Sequence, residues 1–138
     1  MPGILIVDDN ATIRSLLRSF VETNTGFEVC GEAENGPEGI QKAKELRPDL
    51  VLLDMTMPGM LGTEAAPILK RLLPQVKIIL FTLHTDGVNQ ALASTFDIDI
   101  VLSKTDIIAN LQEHLIALLA PIGSSARRAD LAKNTNLN

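Results

Sequence analysis

Leu50-Val51-Leu52-Leu53-Asp54-Met55-Thr56-Met57-Pro58-Gly59 is the stretch on which the fold turns. An unbroken apolar run from Leu50 to Leu53, with no polar alternation, suits a strand buried on both faces, as the inner strands of a parallel sheet are. The run stops at an acid, and Pro58-Gly59 just beyond it marks a loop. Such a strand delivers a carboxylate to the carboxyl edge of its sheet, where open α/β folds keep their chemistry.

The same pattern recurs on both sides. Upstream, Ile4 to Val7 is an apolar run that ends in Asp8-Asp9-Asn10. Ile13, Leu16, Leu17, Phe20 and Val21 follow at helical spacing, with Asn10 or Asp9 as cap, and Asn24 to Gly26 closes that helix. Phe27 to Ala33 reads as a short strand, Glu34-Asn35-Gly36 as a turn, and Ile40, Ala43 and Leu46 as the core stripe of a helix stopped by Pro48. Downstream of Gly62, Thr63 is the expected cap of a helix carrying Ala65, Ile68, Leu69, Leu72 and Leu73. Val76 to Leu83 reads as a strand ending near Thr82, Val88 to Phe96 as a helix, and Ile98 to Leu102 as a strand followed by Ser103-Lys104. Thr105-Asp106 opens a last helix with Ile107, Ile108, Leu111, Leu115, Leu118 and Leu119 on its apolar side. The order is βα repeated five times. Right-handed crossovers then give a parallel sheet with helices on both faces, and bring Asp8, Asp9, Asp54, Thr82 and Lys104 to one edge.

Composition narrows the function classes. With 138 residues and 46% apolar content, one core is the expectation; aromatic residues are few, so it must be built from Leu, Ile, Val and Ala. A net charge of -5 gives no general attraction for nucleic acid or an anionic membrane, and the Arg127-Arg128 pair is too small a signal to change that. Cys30 is the sole cysteine, which excludes a disulfide framework and a cysteine-rich zinc site and makes a cytoplasmic location the simplest reading. Ile4 to Val7 is apolar but far too short to span a bilayer, and nothing before it reads as a signal peptide. Residues 1–121 are expected to form the domain, and 122–138 a polar tail or truncated linker.

Carboxylates gathered from two strands repel one another unless a cation or proton enters. Mg2+ suits Asp8, Asp9 and Asp54 because it prefers hard oxygen ligands and keeps some of its water; Asp9 and Asp54 are the expected direct ligands, with Asp8 binding directly or orienting water. The plainer reading of Asp8-Asp9 is helix capping, and Asp54 and Lys104 at equivalent strand ends count against it. An aspartate can attack phosphorus to form an acyl phosphate. Lys104 would then compensate the charge of the phosphoryl oxygens, or pair with the acids in the resting state; Thr82 would donate its hydroxyl, and the backbone N–H groups after Asp54 and after Thr82 further hydrogen bonds. His84 has two readings, a residue facing the site and a solvent-facing loop residue; His114 falls on the polar side of the last helix.

Taken together, Asp8-Asp9, Asp54 within Leu52 to Gly59, Thr82 and Lys104, in this order and strand context, resemble the receiver domain of two-component response regulators over residues 2–120. The nearest flavour is the receiver of helix-turn-helix transcriptional regulators, whose output domain is not expected in this chain. The resemblance implies a doubly wound, flavodoxin-like sheet of order 2-1-3-4-5 and phosphoryl transfer to Asp54 from a histidine kinase or histidine phosphotransfer protein. Later self-catalysed hydrolysis would follow, with no action on an external metabolite. It implies Mg2+ at Asp9, Asp54 and the Thr56 carbonyl, with Asp8 assisting through water, and phosphoryl contacts at Thr56, Thr82, Leu83 and Lys104. It also implies output to an effector protein or a second receiver through the last helices and strand.

The chain departs from the family at several positions. Val101 stands where a switch aromatic is usual, Leu83 where a small residue is common after Thr82, and Thr105 where a proline often follows the lysine. Asp97-Ile98-Asp99-Ile100 replaces a small-residue approach to the last strand. Val101 and Leu83 motivate an alternative, a protein-interaction module whose phosphorylation is weak, absent or uncoupled from output.

Overall fold

A computed structural model describes residues 2–83, 89–104 and 107–123. Five strands, β1 (Gly3–Val7), β2 (Glu28–Ala33), β3 (Leu50–Asp54), β4 (Lys77–Thr82) and β5 (Ile100–Ser103), alternate with α1 (Ala11–Asn24), α2 (Gly36–Leu46), α3 (Gly62–Leu72), α4 (Asn89–Phe96) and α5 (Ile107–Gly123). All pairings are parallel and the order is β2-β1-β3-β4-β5. This is the doubly wound fold the apolar runs demand: β1 and β3 are buried along their whole length because each lies inside the sheet and beneath helices.

The strand periodicity splits the core in two. Leu5, Val7, Val51, Leu53, Ile78 and Leu80 face α2 and α3, whereas Ile4, Ile6, Leu50, Leu52, Ile79 and Phe81 face α1 and α5. On α5, Leu111, Leu115 and Leu119 form the buried stripe, and His114 sits half-buried at its border. Two expected core residues lie outward instead: Leu16 is 56% exposed and Leu46 42%. The stripe of α1 is narrower than its apolar content, Leu17 and Val21 alone being fully enclosed.

Local chemistry sets the helix ends. Asn10 caps α1 by accepting the Ile13 N–H at 3.0 Å, and Asn35 caps α2 by accepting that of Glu38 at 2.8 Å. Thr63 does not cap α3. It is buried within the first turn, the cap position is Leu61, and the Glu64 carboxylate accepts the Leu61 N–H at 2.8 Å. Gly62 explains this early start: its N–H donates to the Met55 carbonyl at 2.7 Å, and any Cβ there would overlap the Asp54 carbonyl oxygen. The helix can therefore begin hard against the end of β3. His84, Val88, Thr105, Asp106, the side chains of Ile107 and Ile108, and residues 124–138 lie outside the described residues.

Candidate functional site

At the carboxyl edge, β1 and β3 are neighbours, and their last apolar residues, Val7 and Leu53, stand in register. The acids that follow therefore meet. Asp8, Asp9 and Asp54 each offer a carboxylate oxygen within 4.8 Å of the others. Asp8 and Asp54 are buried, at 0% and 1% exposure, while Asp9 is exposed. Lys104, just past β5, crosses over β4 to reach them: its Nζ is 3.1 Å from Asp54 Oδ1 and 3.7 Å from Asp8 Oδ2. The ammonium also lies 5.6 Å from the centre of the Phe81 ring. Its backbone is held by an N–H bond to the Thr82 carbonyl at 2.7 Å.

The carboxylates are incompletely satisfied. Asp8 Oδ1 accepts the Asn10 N–H at 2.7 Å and Asp54 Oδ1 the Thr56 N–H at 3.3 Å, but Asp8 Oδ2 and Asp54 Oδ2 are buried and accept no hydrogen bond from the described residues. Burial pushes the Asp8 carboxyl up to about 6, with the Asp54 charge adding to the rise and the Asn10 N–H and Lys104 opposing it. Burial likewise raises Asp54, against the opposing pull of Lys104. One ammonium does not neutralise three acids. A hard divalent cation, bound by oxygen and tolerant of retained water, fits the two orphaned buried oxygens and the exposed third acid.

The family model for the response regulator receiver domain matches residues 4–116. The chain belongs to that family. The receiver is 47% identical over 76 residues to the chemotaxis protein CheY of Thermotoga maritima, covering 55% of this chain and 62% of that protein. It is 37% identical over 102 residues to the response regulator protein VraR of Staphylococcus aureus, covering 74% of this chain and 49% of that one. The chain thus spans less than two thirds of these relatives' length, and about half of VraR. Among solved structures, a LuxR-family two-component response regulator from Aurantimonas sp. SI85-9A1 superposes with a TM-score of 0.80 at 28% identity, covering 87% and 86% of the two chains. The Vibrio cholerae chemotaxis protein CheY4 does so at 0.77 and 25% identity, covering 86% and 98%. LuxR-family response regulators and chemotaxis proteins are thus both among the proteins the receiver resembles.

The other anticipated positions take distinct places in the receiver. Thr82 is buried at the end of β4. Leu83 is 65% exposed beside it. Val101, in register with Leu80, packs against the core on the α3 side. The N–H directly after Asp54, that of Met55, is committed to the Phe81 carbonyl at 2.9 Å, so the one that reaches a carboxylate is that of Thr56. Two features escape a sequence reading. The Phe81 ring lies beneath Lys104, and Arg14 donates from Nη1 to the Asp8 carbonyl at 2.6 Å. Arg14 and Arg18, one turn apart on the polar side of α1, hint at a shared partner; that partner, Glu32, is supplied by β2.

Proposed function

We propose that this receiver is a Mg2+-dependent phosphoryl acceptor that switches protein interactions. The observation supporting it is Asp54: one carboxylate oxygen paired with the Lys104 ammonium, the other buried without a hydrogen-bond partner at the edge of an acid cluster. Asp9, Asp54 and the Thr56 carbonyl would hold Mg2+, with Asp8 acting through water. The ion, when bound, offsets charge on the phosphoryl oxygens.

Asp54 attacks the phosphorus of a phosphohistidine on a histidine kinase or histidine phosphotransfer protein. The new O–P bond forms as the P–N bond breaks, and its electron pair passes to the imidazole nitrogen. Lys104 then turns from the carboxylates to a phosphoryl oxygen, while the Thr82 hydroxyl and the backbone at Thr56 and Leu83 donate to others. Attack of water on the phosphorus breaks the Asp54 O–P bond, releases inorganic phosphate and restores the carboxylate. The domain unit is residues 1–121 and its setting cytoplasmic; no helix among the described residues is long and apolar enough to cross a membrane. Output would run through a homodimer or an effector protein, without direct nucleic-acid binding by this chain.

Incubation with Mg2+ and phosphoramidate, followed by intact-mass measurement, tests the reading. A labile phosphate adduct absent from Asp54→Asn is expected, and its absence in the native protein with small donors and the cognate kinase alike would sink the proposal. Val101 supports one competing reading, an interaction module uncoupled from phosphorylation: an aliphatic side chain packed on the α3 side has no ring to swing. Equal partner affinity with Asp54 free and phosphorylated would favour it.

A further inference from the structure

Asp8 and Asp9 lie on a short loop, and a loop carrying cation ligands must be held still. Three bonds fix its backbone: the Asp8 N–H to the Ala33 carbonyl at 3.0 Å, the Asn10 N–H to Asp8 Oδ1 at 2.7 Å, and Arg14 Nη1 to the Asp8 carbonyl at 2.6 Å. The last comes from a side chain that is itself anchored. Arg14 Nε donates to Glu32 Oε1 at 3.0 Å, Arg18 Nε to Glu32 Oε2 at 2.6 Å, and Lys42 Nζ to the Glu32 carbonyl at 2.6 Å. Glu32 thus sits between α1 and α2 with both carboxylate oxygens engaged, and the planar Arg14 fork spans from this fixed acid to the carbonyl at the end of β1.

We infer that Arg14 is a positioning residue for the cation site, setting the Asp8-Asp9 backbone through its bond to the Asp8 carbonyl, with Glu32 as its anchor. This rests on the Mg2+ reading above. Arg18 is the built-in comparison: it shares the helix, the charge and the Glu32 partner, but among the described residues its bonds run to Glu32 and Glu22 and not to Asp8. A merely structural role for the network predicts that the two arginines behave alike. A merely electrostatic role predicts that losing a nearby positive charge tightens Mg2+ binding.

The test is titration of the full chain with Mg2+ alone, following the backbone amide resonances of Asp9 and Asn10. Arg14→Ala is expected to weaken Mg2+ binding by about tenfold, the range seen when groups that orient metal ligands are removed. Arg18→Ala is expected to bind like the native protein. Arg14→Lys should resemble Arg14→Ala, because one ammonium cannot reproduce the fork, and it carries the test if the alanine variant does not fold. Glu32→Gln, which keeps an acceptor, should lose less. With phosphoramidate, the Arg14 defect should appear as a higher Mg2+ requirement with the rate at saturating Mg2+ kept within about twofold. Native-like or tighter binding by the Arg14 variants, or equal weakening by Arg18→Ala, overturns the inference. Failure of the native protein to bind Mg2+ overturns the Mg2+ reading with it, which separates the two.

Discussion

Lys104 and Asp54 meet at 3.1 Å although their strands, β5 and β3, are not neighbours but flank β4. The lysine side chain spans the intervening strand end, over Thr82 and beside the Phe81 ring, so the ion pair joins three strands into one site. Both partners are mostly enclosed, Lys104 at 21% and Asp54 at 1% exposure, which spares the pair the solvent screening of a surface bridge.

Removing Lys104 leaves Asp54 and Asp8 facing one another without their cation. Lys104→Met is expected to lower the stability of the metal-free protein by about 1–3 kcal/mol, and excess Mg2+ to restore more of it than in the native chain. Urea melts with EDTA and with Mg2+ check this. An equal Mg2+ increment in both proteins would count against it.

Asp8 carries the opposite sign. Its carboxyl is raised from 3.8 to about 6, so the folded state holds a proton that the unfolded chain has released. The associated stability is complete below the unfolded value and is lost as pH rises through about 6, amounting to about 3 kcal/mol between the limits. Asp8→Asn should therefore stabilise the metal-free protein at pH 7 and flatten its stability profile in that window. Denaturation midpoints between pH 4 and 7, at constant ionic strength, provide the measurement.

Glu32 behaves in the reverse way. Its hydrogen bond with Arg18 holds the carboxyl below the ordinary value of 4.5, with Arg14 adding to the effect. Its contribution is present above the unfolded value and lost as pH falls through the folded one. Glu32→Gln should remove that acid-side loss, at a cost of about 1 kcal/mol at neutral pH since the group is partly exposed.

Gly62 is the tightest steric constraint on the site. A methyl group there meets the Asp54 carbonyl and lies 2.6 Å from Leu80 Cδ1, both in the packed core. Gly62→Ala is expected to destabilise by about 1–3 kcal/mol and to slow phosphate acceptance by moving Asp54. Gly59→Ala is the contrast: its Cβ meets nothing within 4 Å, but the backbone sits at φ +83°, so the cost is conformational and local. Melting curves alongside initial phosphorylation rates separate the two.

The unbroken apolar runs ending in Asp8 and Asp54 determined the fold by themselves. Such runs are stable only between two helical layers, and right-handed crossovers then leave one edge for the acids and Lys104. A cap at Asn10 or Asp9 was equally legible, because capping is settled within a few residues of chain, and the structure selects Asn10. Other features depend on which surfaces meet. Leu16 and Leu46 are spaced for burial yet lie outward, since the width of the covering neighbour, not the helix's own periodicity, limits how much of a stripe is enclosed. Thr63 has a capping side chain but is drawn into the core by the close approach that Gly62 permits. The tie from Glu32 through Arg14 to the Asp8 carbonyl joins groups from β2, α1 and the loop after β1. Sequence names those donors and acceptors; only packing selects which of them come within a hydrogen bond's reach, because that interaction is lost over less than an ångström.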